Sequence, residues 1–118
     1  MGRRVVAVVG ASSDRRKFGN RAVRAFLSQG YDVKPVNPHE QTIEGLPVYA
    51  TIADVPGPVD VVSMYVPAHV GIRLLDAIAA KQPAEVWINP GAESAALVER
   101  AKALGLSPIL ACSIVALG

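Results

Sequence analysis

The sequence has few cysteines, little net charge and no long apolar run, and each scarcity excludes a class of protein. Cys112 is the only cysteine in 118 residues; no internal disulfide can form, which favours a reducing, cytoplasmic location. A net charge of +2 does not favour binding to nucleic acid or to an anionic membrane. Proline, glycine or a charge interrupts every apolar stretch before the roughly 18 residues that a membrane helix needs. The apolar hexamer after Arg3 and Arg4 is too short for a signal peptide. We therefore expect a soluble cytoplasmic protein.

Recognisable catalytic and metal-binding motifs are also missing. The sequence contains no H-E-x-x-H, C-x-x-C, Walker A or G-x-S-x-G pattern. Its two histidines and one cysteine do not combine into a persuasive metal site. We accordingly expect no metal and assign no catalytic residue from motifs.

Length and composition predict one globular domain over residues 1–118. A chain of 118 residues suffices for one hydrophobic core but not for two. Hydrophobic residues make up 51% and charged residues 19%, which allows enough apolar burial to offset chain entropy.

Short apolar runs alternate with segments of helical period, a pattern typical of βαβ units. The predicted strands are Val5–Val9, Val33–Val36, Val59–Val66, Val86–Ile88 and Pro108–Ala111. Three helical stripes lie between them, at Val23–Leu27, Val70–Ile78 and Leu97–Leu104. Continuous apolarity suits strands that helices cover on both faces. The pattern predicts a doubly wound, three-layer Rossmann-like α/β domain with a mainly parallel sheet of five or six strands.

The segment Pro47–Pro58 is harder to assign. Val48–Ala50 could form a short edge strand, and the spacing of Thr51 and Asp54 fits a capping box for about one helical turn.

A doubly wound sheet binds ligands where the chain reverses direction, here between the strands Val5–Val9 and Val59–Val66. The loops predicted to line that point are Gly10–Gly19, Asn37–His39, Pro67–His69 and Asn89–Ala92.

The turn after the first strand carries the strongest local signal for a phosphate site. Gly10 allows a tight turn, and Ser12 and Ser13 offer hydroxyl donors. Arg15 and Lys17 supply positive charge just before a helix start, where backbone N–H groups attract anions. The alternative is that Gly10 only ends a strand and that the cations are solvated.

Basic residues are concentrated near this turn, and a glycine follows it. Six of the twelve basic residues fall within the first 21 positions: Arg3, Arg4, Arg15, Arg16, Lys17 and Arg21. Gly19 would permit close approach of a ligand to the backbone. Both features favour a local anion site.

The sequence lacks the fingerprint of an NAD site. Gly10-Ala-Ser-Ser does not have G-x-G-x-x-G spacing, and the second strand ends in Pro35-Val-Asn-Pro38 without an acid to hold a ribose diol. The neutral Asn-Pro turn argues against NAD and leaves room for another nucleotide, although it could serve rigidity alone.

Two histidines lie in the predicted loops, and an aromatic residue lies at the end of the third predicted strand. Tyr65 could contact an adenine or a pantetheine chain beside the rigid Pro67, or could belong to the core. His69, near a helix start, fits a cap or solvent role better than catalysis. His39 is expected to lie beside the site, where it could contact a phosphate.

The fourth and fifth strands end near the same edge. Asn89 and Gly91 could hydrogen-bond a ligand through side chain and backbone, whereas Trp87 fits packing better than stacking on a cofactor. Cys112 could form a mixed disulfide, but an inert, partly buried thiol is the simpler interpretation.

An ordered set of short stretches resembles the small stand-alone CoA-binding domain family, which is similar to the N-terminal domain of the succinyl-CoA synthetase α subunit. The stretches are Val8-Val-Gly-Ala-Ser12, Lys17-Phe-Gly-Asn20, Gly30-Tyr-Asp-Val33, Pro35-Val-Asn-Pro38, Ile43-Glu-Gly45, Val59-Asp-Val-Val62, Val66-Pro67 and Trp87–Gly91. They span nearly the whole chain. The resemblance implies a Rossmann-like fold whose loops surround the nucleotide of coenzyme A.

The predicted site combines the positions implied by this resemblance with those argued from the loops. Its members are Gly10, Ala11, Ser12, Ser13, Arg15, Lys17, Phe18, Gly19, Asn20, Asn37, Pro38, His39, Tyr65, Val66, Pro67, Asn89, Pro90, Gly91 and Ala92.

Three functions remain open at this point. The first is non-catalytic binding of coenzyme A or an acyl-CoA. The second is an enzyme or accessory subunit acting on an acyl-CoA, with His69 or Cys112 as the reacting group and a partner to close the site. The third is a module that senses NAD(H) or an adenine nucleotide.

Overall fold

The computed structural model describes residues 2–118 and contains a five-stranded parallel sheet. Its strands are β1 (Val5–Val9), β2 (Asp32–Val36), β5 (Val61–Met64), β6 (Glu85–Ile88) and β7 (Pro108–Leu110), in the order β2-β1-β5-β6-β7. The chain reverses direction between β1 and β5, as the sequence pattern predicts. Every adjacent pair is parallel, and the Rossmann-like fold class is confirmed.

All five predicted strands are present, and four of them have different boundaries. The third predicted strand, Val59–Val66, is four residues long, at Val61–Met64. Just before this strand, the Asp60 carboxylate accepts a hydrogen bond from the Val5 amide at 2.7 Å. The strand ends where the chain turns toward Pro67, which has no N–H to continue a ladder.

Helices cover both faces of the sheet. Helix α1 (Phe18–Ser28) and helix α4 (Ser113–Leu117) contact each other on one face, and α2 (Ala68–Ala80) packs against α3 (Ala95–Ala103) on the other. The apolar stripes predict the first three helices but not α4, whose five residues are too few to show a helical period. No helix within residues 2–118 has both the length and the apolarity to span a bilayer.

The segment between β2 and β5 combines a hairpin and a turn. Strands β3 (Thr42–Ile43) and β4 (Leu46–Pro47) are antiparallel, joined by Glu44 and Gly45, which both have positive φ. A two-residue loop of this kind matches strand twist.

The predicted edge strand and helical turn in this segment are partly confirmed. Of Val48–Ala50, only Tyr49 pairs with the sheet, through a bridge to Val36. The single helical turn is a 3-10 turn at Ile52–Asp54. The Thr51 hydroxyl bonds to the Asp54 carboxylate at 3.1 Å rather than to a backbone amide.

Candidate functional site

The carboxyl ends of the parallel strands surround a cavity of about 480 Å³. Its walls come from the loops after β1, β2, β5 and β6. They are formed by Gly10, Ala11, Ser12, Lys17, Phe18, Gly19, Asn37, His39, Glu40, Tyr65, Pro67, Pro90, Gly91 and Ala92. Thirteen of the predicted site residues therefore lie around one cavity, which we call the polar cavity, and Glu40 is the addition.

The turn after β1 and the start of α1 lie so close together that one position in each, Gly10 and Gly19, admits only glycine. Gly10 has a φ of 90°, and a Cβ there would stand 3.0 Å from the Tyr65 carbonyl carbon and from the Val66 Cγ1. A Cβ on Gly19 would overlap the carbonyl oxygen of Gly10. The start of α1 thus rests directly on the turn, and its first two residues, Phe18 and Gly19, line the cavity.

The two basic residues that were predicted to contact a phosphate differ in position. Lys17 is the N-cap residue of α1, is exposed, lines the polar cavity and takes part in no ion pair of residues 2–118. Arg15 points along the turn toward Glu44, with Nε 3.5 Å from the carboxylate, and does not line the cavity. Lys17 is therefore the better placed for an anion in the cavity.

A local ion pair reinforces the turn without entering the cavity. Asp14 accepts hydrogen bonds from the Arg16 side chain and backbone amide, both at about 3.0 Å. These bonds, with the side-chain bond first, lower the pKa of Asp14 to about 2.

Two predicted asparagines hold the loops together. The buried Asn20 donates to the Ser12 carbonyl at 2.9 Å, and Asn37 donates to the Ala11 carbonyl at 2.8 Å. The Asn37 side-chain oxygen accepts from the His39 amide at 2.7 Å. Both amide groups position the glycine turn from behind.

Asn89 is also committed inside the protein, so its side chain is not available for the ligand bond suggested by its loop position. It is 1% exposed and donates to the Ser63 hydroxyl at 3.0 Å and to the Met64 carbonyl at 2.9 Å. Its oxygen accepts from the Ser113 amide at 2.8 Å. The Asn89 side chain therefore joins β5, β6 and the start of α4. Gly91 lies at the cavity wall, and its amide donates to the Glu93 carboxylate at 3.0 Å.

Glu40 is the cavity residue that the sequence did not single out. It lies four residues beyond β2, yet its carboxylate oxygens accept from the Ser13 amide at 3.0 and 3.2 Å. The Asn37 side-chain amide is 3.4 Å from the same carboxylate. An acid shortly after the second strand was the available signal, but only the return of this loop onto the glycine turn gives it meaning.

A second, apolar cavity of about 390 Å³ adjoins the first and shares four of its lining residues with it. It is lined by Val9, Gly10, Val36, Asn37, Pro38, His39, Ala50, Thr51, Ile52, Val66, Pro67, Val70 and Leu74. Predicted residues Pro38 and Val66 lie here rather than in the polar cavity. The edge of the sheet thus offers a polar and an apolar compartment side by side.

Tyr65 and Cys112 meet in a small recess of about 80 Å³ beside the polar cavity, together with Phe18 and Pro90. The Tyr65 hydroxyl is buried without a hydrogen-bond partner in residues 2–118, and burial raises the pKa of this phenol. His69 is exposed and lines none of these cavities. Within residues 2–118, no three ligating side chains are grouped to hold a metal ion.

Both solved structures and curated proteins resemble this chain. The chain is 32% identical to a conserved hypothetical protein of Pyrococcus furiosus, with a TM-score of 0.85 over 98% of this chain and 99% of the other. It also matches the dinucleotide-forming acetyl-coenzyme A synthetase 1 of Ca. Korarchaeum cryptofilum, in complex with phosphate and ADP. That match has 29% identity and a TM-score of 0.78, and covers 91% of this chain and 25% of the synthetase.

Among curated proteins, the chain resembles the α subunit of acetate–CoA ligase (ADP-forming) II of Pyrococcus furiosus. The two are 37% identical over 65 residues, which is 54% of this chain and 14% of the ligase subunit. The chain therefore spans only a small part of that relative's length. A family model described as a CoA binding domain matches residues 4–118. The chain belongs to this family of CoA binding domains.

Proposed function

We propose that the protein binds coenzyme A or an acyl-CoA at the carboxyl edge of its sheet and does not itself transform the ligand. The observation that carries the proposal is the polar cavity, in which the glycine turn, the first turn of α1 and Lys17 converge. Backbone amides at a helix start, together with a lysine, suit a pyrophosphate. Family membership over residues 4–118 supports coenzyme A as the source of that group.

The two cavities suit the two kinds of surface in this ligand. Each has a volume within the roughly 300–1,000 Å³ of ordinary small-molecule sites. We assign the phosphates to the polar cavity, beside Gly10–Ser13 and Lys17. The apolar cavity, with Val66 and Pro67 on its wall, would take the adenine or the pantetheine chain.

The positions of the reactive side chains favour binding over catalysis. His69 is exposed and lies outside the cavities. Cys112 lies in the small recess beside Tyr65, Phe18 and Pro90. Neither residue contacts a base or acid that would activate it among the bonds of residues 2–118. We therefore assign no catalytic residue to this chain.

A second candidate is an accessory subunit of an acyl-CoA enzyme in the cytoplasm. The likeness to an acetate–CoA ligase subunit and to an acetyl-coenzyme A synthetase favours it. In that case a protein partner would complete the active site. The third hypothesis is that the protein senses NAD or an adenine nucleotide, and titration with these nucleotides distinguishes it from the other two.

Calorimetric titration with CoA, acetyl-CoA, NAD, NADP and ATP at one salt concentration tests the proposal. We expect saturable binding of CoA and acetyl-CoA and none of NAD. Lys17→Met should weaken CoA binding by about ten- to a hundredfold, because a hydrogen bond to a charged group contributes roughly 1.5–3 kcal/mol. Lys102→Met is the charge-matched control, since Lys102 lies in the last turn of α3 and outside both cavities.

Binding of NAD or ATP alone would refute the CoA assignment and favour the sensing function. Equal CoA affinity in the native protein and in Lys17→Met would remove the phosphate role of Lys17. Turnover of an acyl-CoA only after a partner protein is added would favour the accessory subunit.

A further inference from the structure

Glu40 brings a carboxylate near the end of the second strand, which is not itself followed directly by an acid. The second strand ends at Val36 in a neutral Asn-Pro turn. The loop then folds back, so that Glu40 reaches the glycine turn and accepts from the Ser13 amide at 3.0 Å. Among residues 2–118, Glu40 supplies the only carboxylate on the wall of the polar cavity.

The surroundings of Glu40 fix its carboxylate in place. The Ser13 amide and the side-chain amide of Asn37, at 3.4 Å, approach the same group. The Asn37 amide is itself tied to the Ala11 carbonyl at 2.8 Å, so the support is part of the fold. A carboxylate has about four acceptor positions, and lone pairs remain for a ligand on the cavity side.

In doubly wound folds the pyrophosphate sits at the first glycine turn, and the nucleoside extends toward the end of the second strand, where an acid accepts the ribose hydroxyls. Glu40 lies between these two features. A phosphate on the ribose would instead meet a like charge within a few ångströms, which is unfavourable at a partly buried site. Lys17 and His39 line the same cavity and are the basic groups that could act against this repulsion.

We propose that Glu40 is a specificity residue that accepts hydrogen bonds from free ribose hydroxyls and disfavours a ribose phosphate. The inference rests on the proposed function and refines it: within the CoA class, the site should hold dephospho-CoA at least as tightly as CoA. It concerns the nucleotide half of the ligand only.

A double comparison of ligand and side chain isolates the effect. CoA and dephospho-CoA are titrated calorimetrically against the native protein, Glu40→Gln and Glu99→Gln. The amide of Glu40→Gln keeps an oxygen for the Ser13 amide but removes the charge. Glu99 is an exposed residue of α3, outside the cavities, and serves as the charge-matched control. The ratio of the two affinities cancels contributions that both ligands share, such as the contacts of the pyrophosphate.

The native protein should bind dephospho-CoA as tightly as CoA or more tightly. Glu40→Gln should shift the ratio toward CoA by about two- to fivefold, the size expected for one charge pair at a partly exposed site. Glu99→Gln should leave the ratio unchanged. A native preference for CoA that Glu40→Gln does not alter would overturn the role of Glu40 while leaving CoA binding intact. If neither ligand binds any of the three proteins, the proposed function fails and this inference falls with it.

Discussion

The contact between α1 and the glycine turn makes a sharp prediction for Gly19→Ala. Alanine is the better helix former by about 1 kcal/mol, so helix propensity alone predicts stabilisation. In this structure, however, a Cβ on Gly19 would overlap the carbonyl oxygen of Gly10 and stand 3.3 Å from the Ala11 Cα. Those atoms are backbone and belong to a turn with a φ of 90°, so they cannot move aside independently.

The expected result is a net loss of stability. Overpacking of this kind costs roughly 1–3 kcal/mol, and the upper part of that range applies because backbone must move. After subtraction of the propensity gain, Gly19→Ala should be destabilised by about 2 kcal/mol, or roughly 8 °C in Tm for a domain of this size. CoA binding should weaken as well, because α1 would shift from the polar cavity.

Gly71→Ala is the matched control, because it places the same methyl group in the first turns of α2. There the closest atom to the new Cβ is the terminal methyl carbon of Met64, at 2.8 Å. A flexible side-chain end can rotate away at small cost. Urea denaturation of both variants should find Gly71→Ala within about 1 kcal/mol of the native protein. If Gly19→Ala were as stable as Gly71→Ala, the close packing of α1 on the turn would be refuted.

Two further predictions concern a buried amide and an exposed carboxylate. Asn89→Ala should cost about 3 kcal/mol in urea denaturation, because it leaves the buried Ser113 amide without its 2.8 Å acceptor; a loss under about 1 kcal/mol would contradict this structural role. The Asp14 carboxyl should titrate near its lowered pKa of about 2 in a carbon-13 NMR experiment, and Arg16→Gln should return the midpoint toward the ordinary 3.8. Since the folded-state pKa is lowered, this contribution to stability is present above pH 3.8 and is lost as the pH falls toward 2; a native midpoint at 3.8 would disprove it.

Most of the fold could be predicted from the sequence because the sheet is built from continuous apolar runs. The strand Val5–Val9 appears with its predicted bounds, and the other four differ only at their ends. Helix α4 was missed since one turn and a half contains no periodic signal. The hairpin β3–β4 was missed because its strands have two residues each, and pairing of so short a segment depends on the neighbouring chain.

The loops that form the candidate site could be predicted from the sequence, but the roles of some of their side chains could not. Parallel strands bring their carboxyl ends to one edge, so naming the loops of Gly10–Gly19 and Asn89–Ala92 located the cavity. Local sequence does not say whether an amide faces a ligand or its own fold, and Asn89 turned inward because three elements converge behind it. Glu40 could be found only once the loop after β2 had been seen to return to Ser13.

The central claim is that coenzyme A occupies the carboxyl edge of the sheet, and an amide chemical-shift map of the nitrogen-15-labelled protein titrated with CoA tests it most directly. We expect the largest, saturable changes on the amides of Gly10–Ser13, Phe18, Gly19 and Gly91, with little change at the opposite edge, around Gly30 and Gly105. Saturable changes centred on that opposite edge, or no changes at any CoA concentration tested, would contradict it.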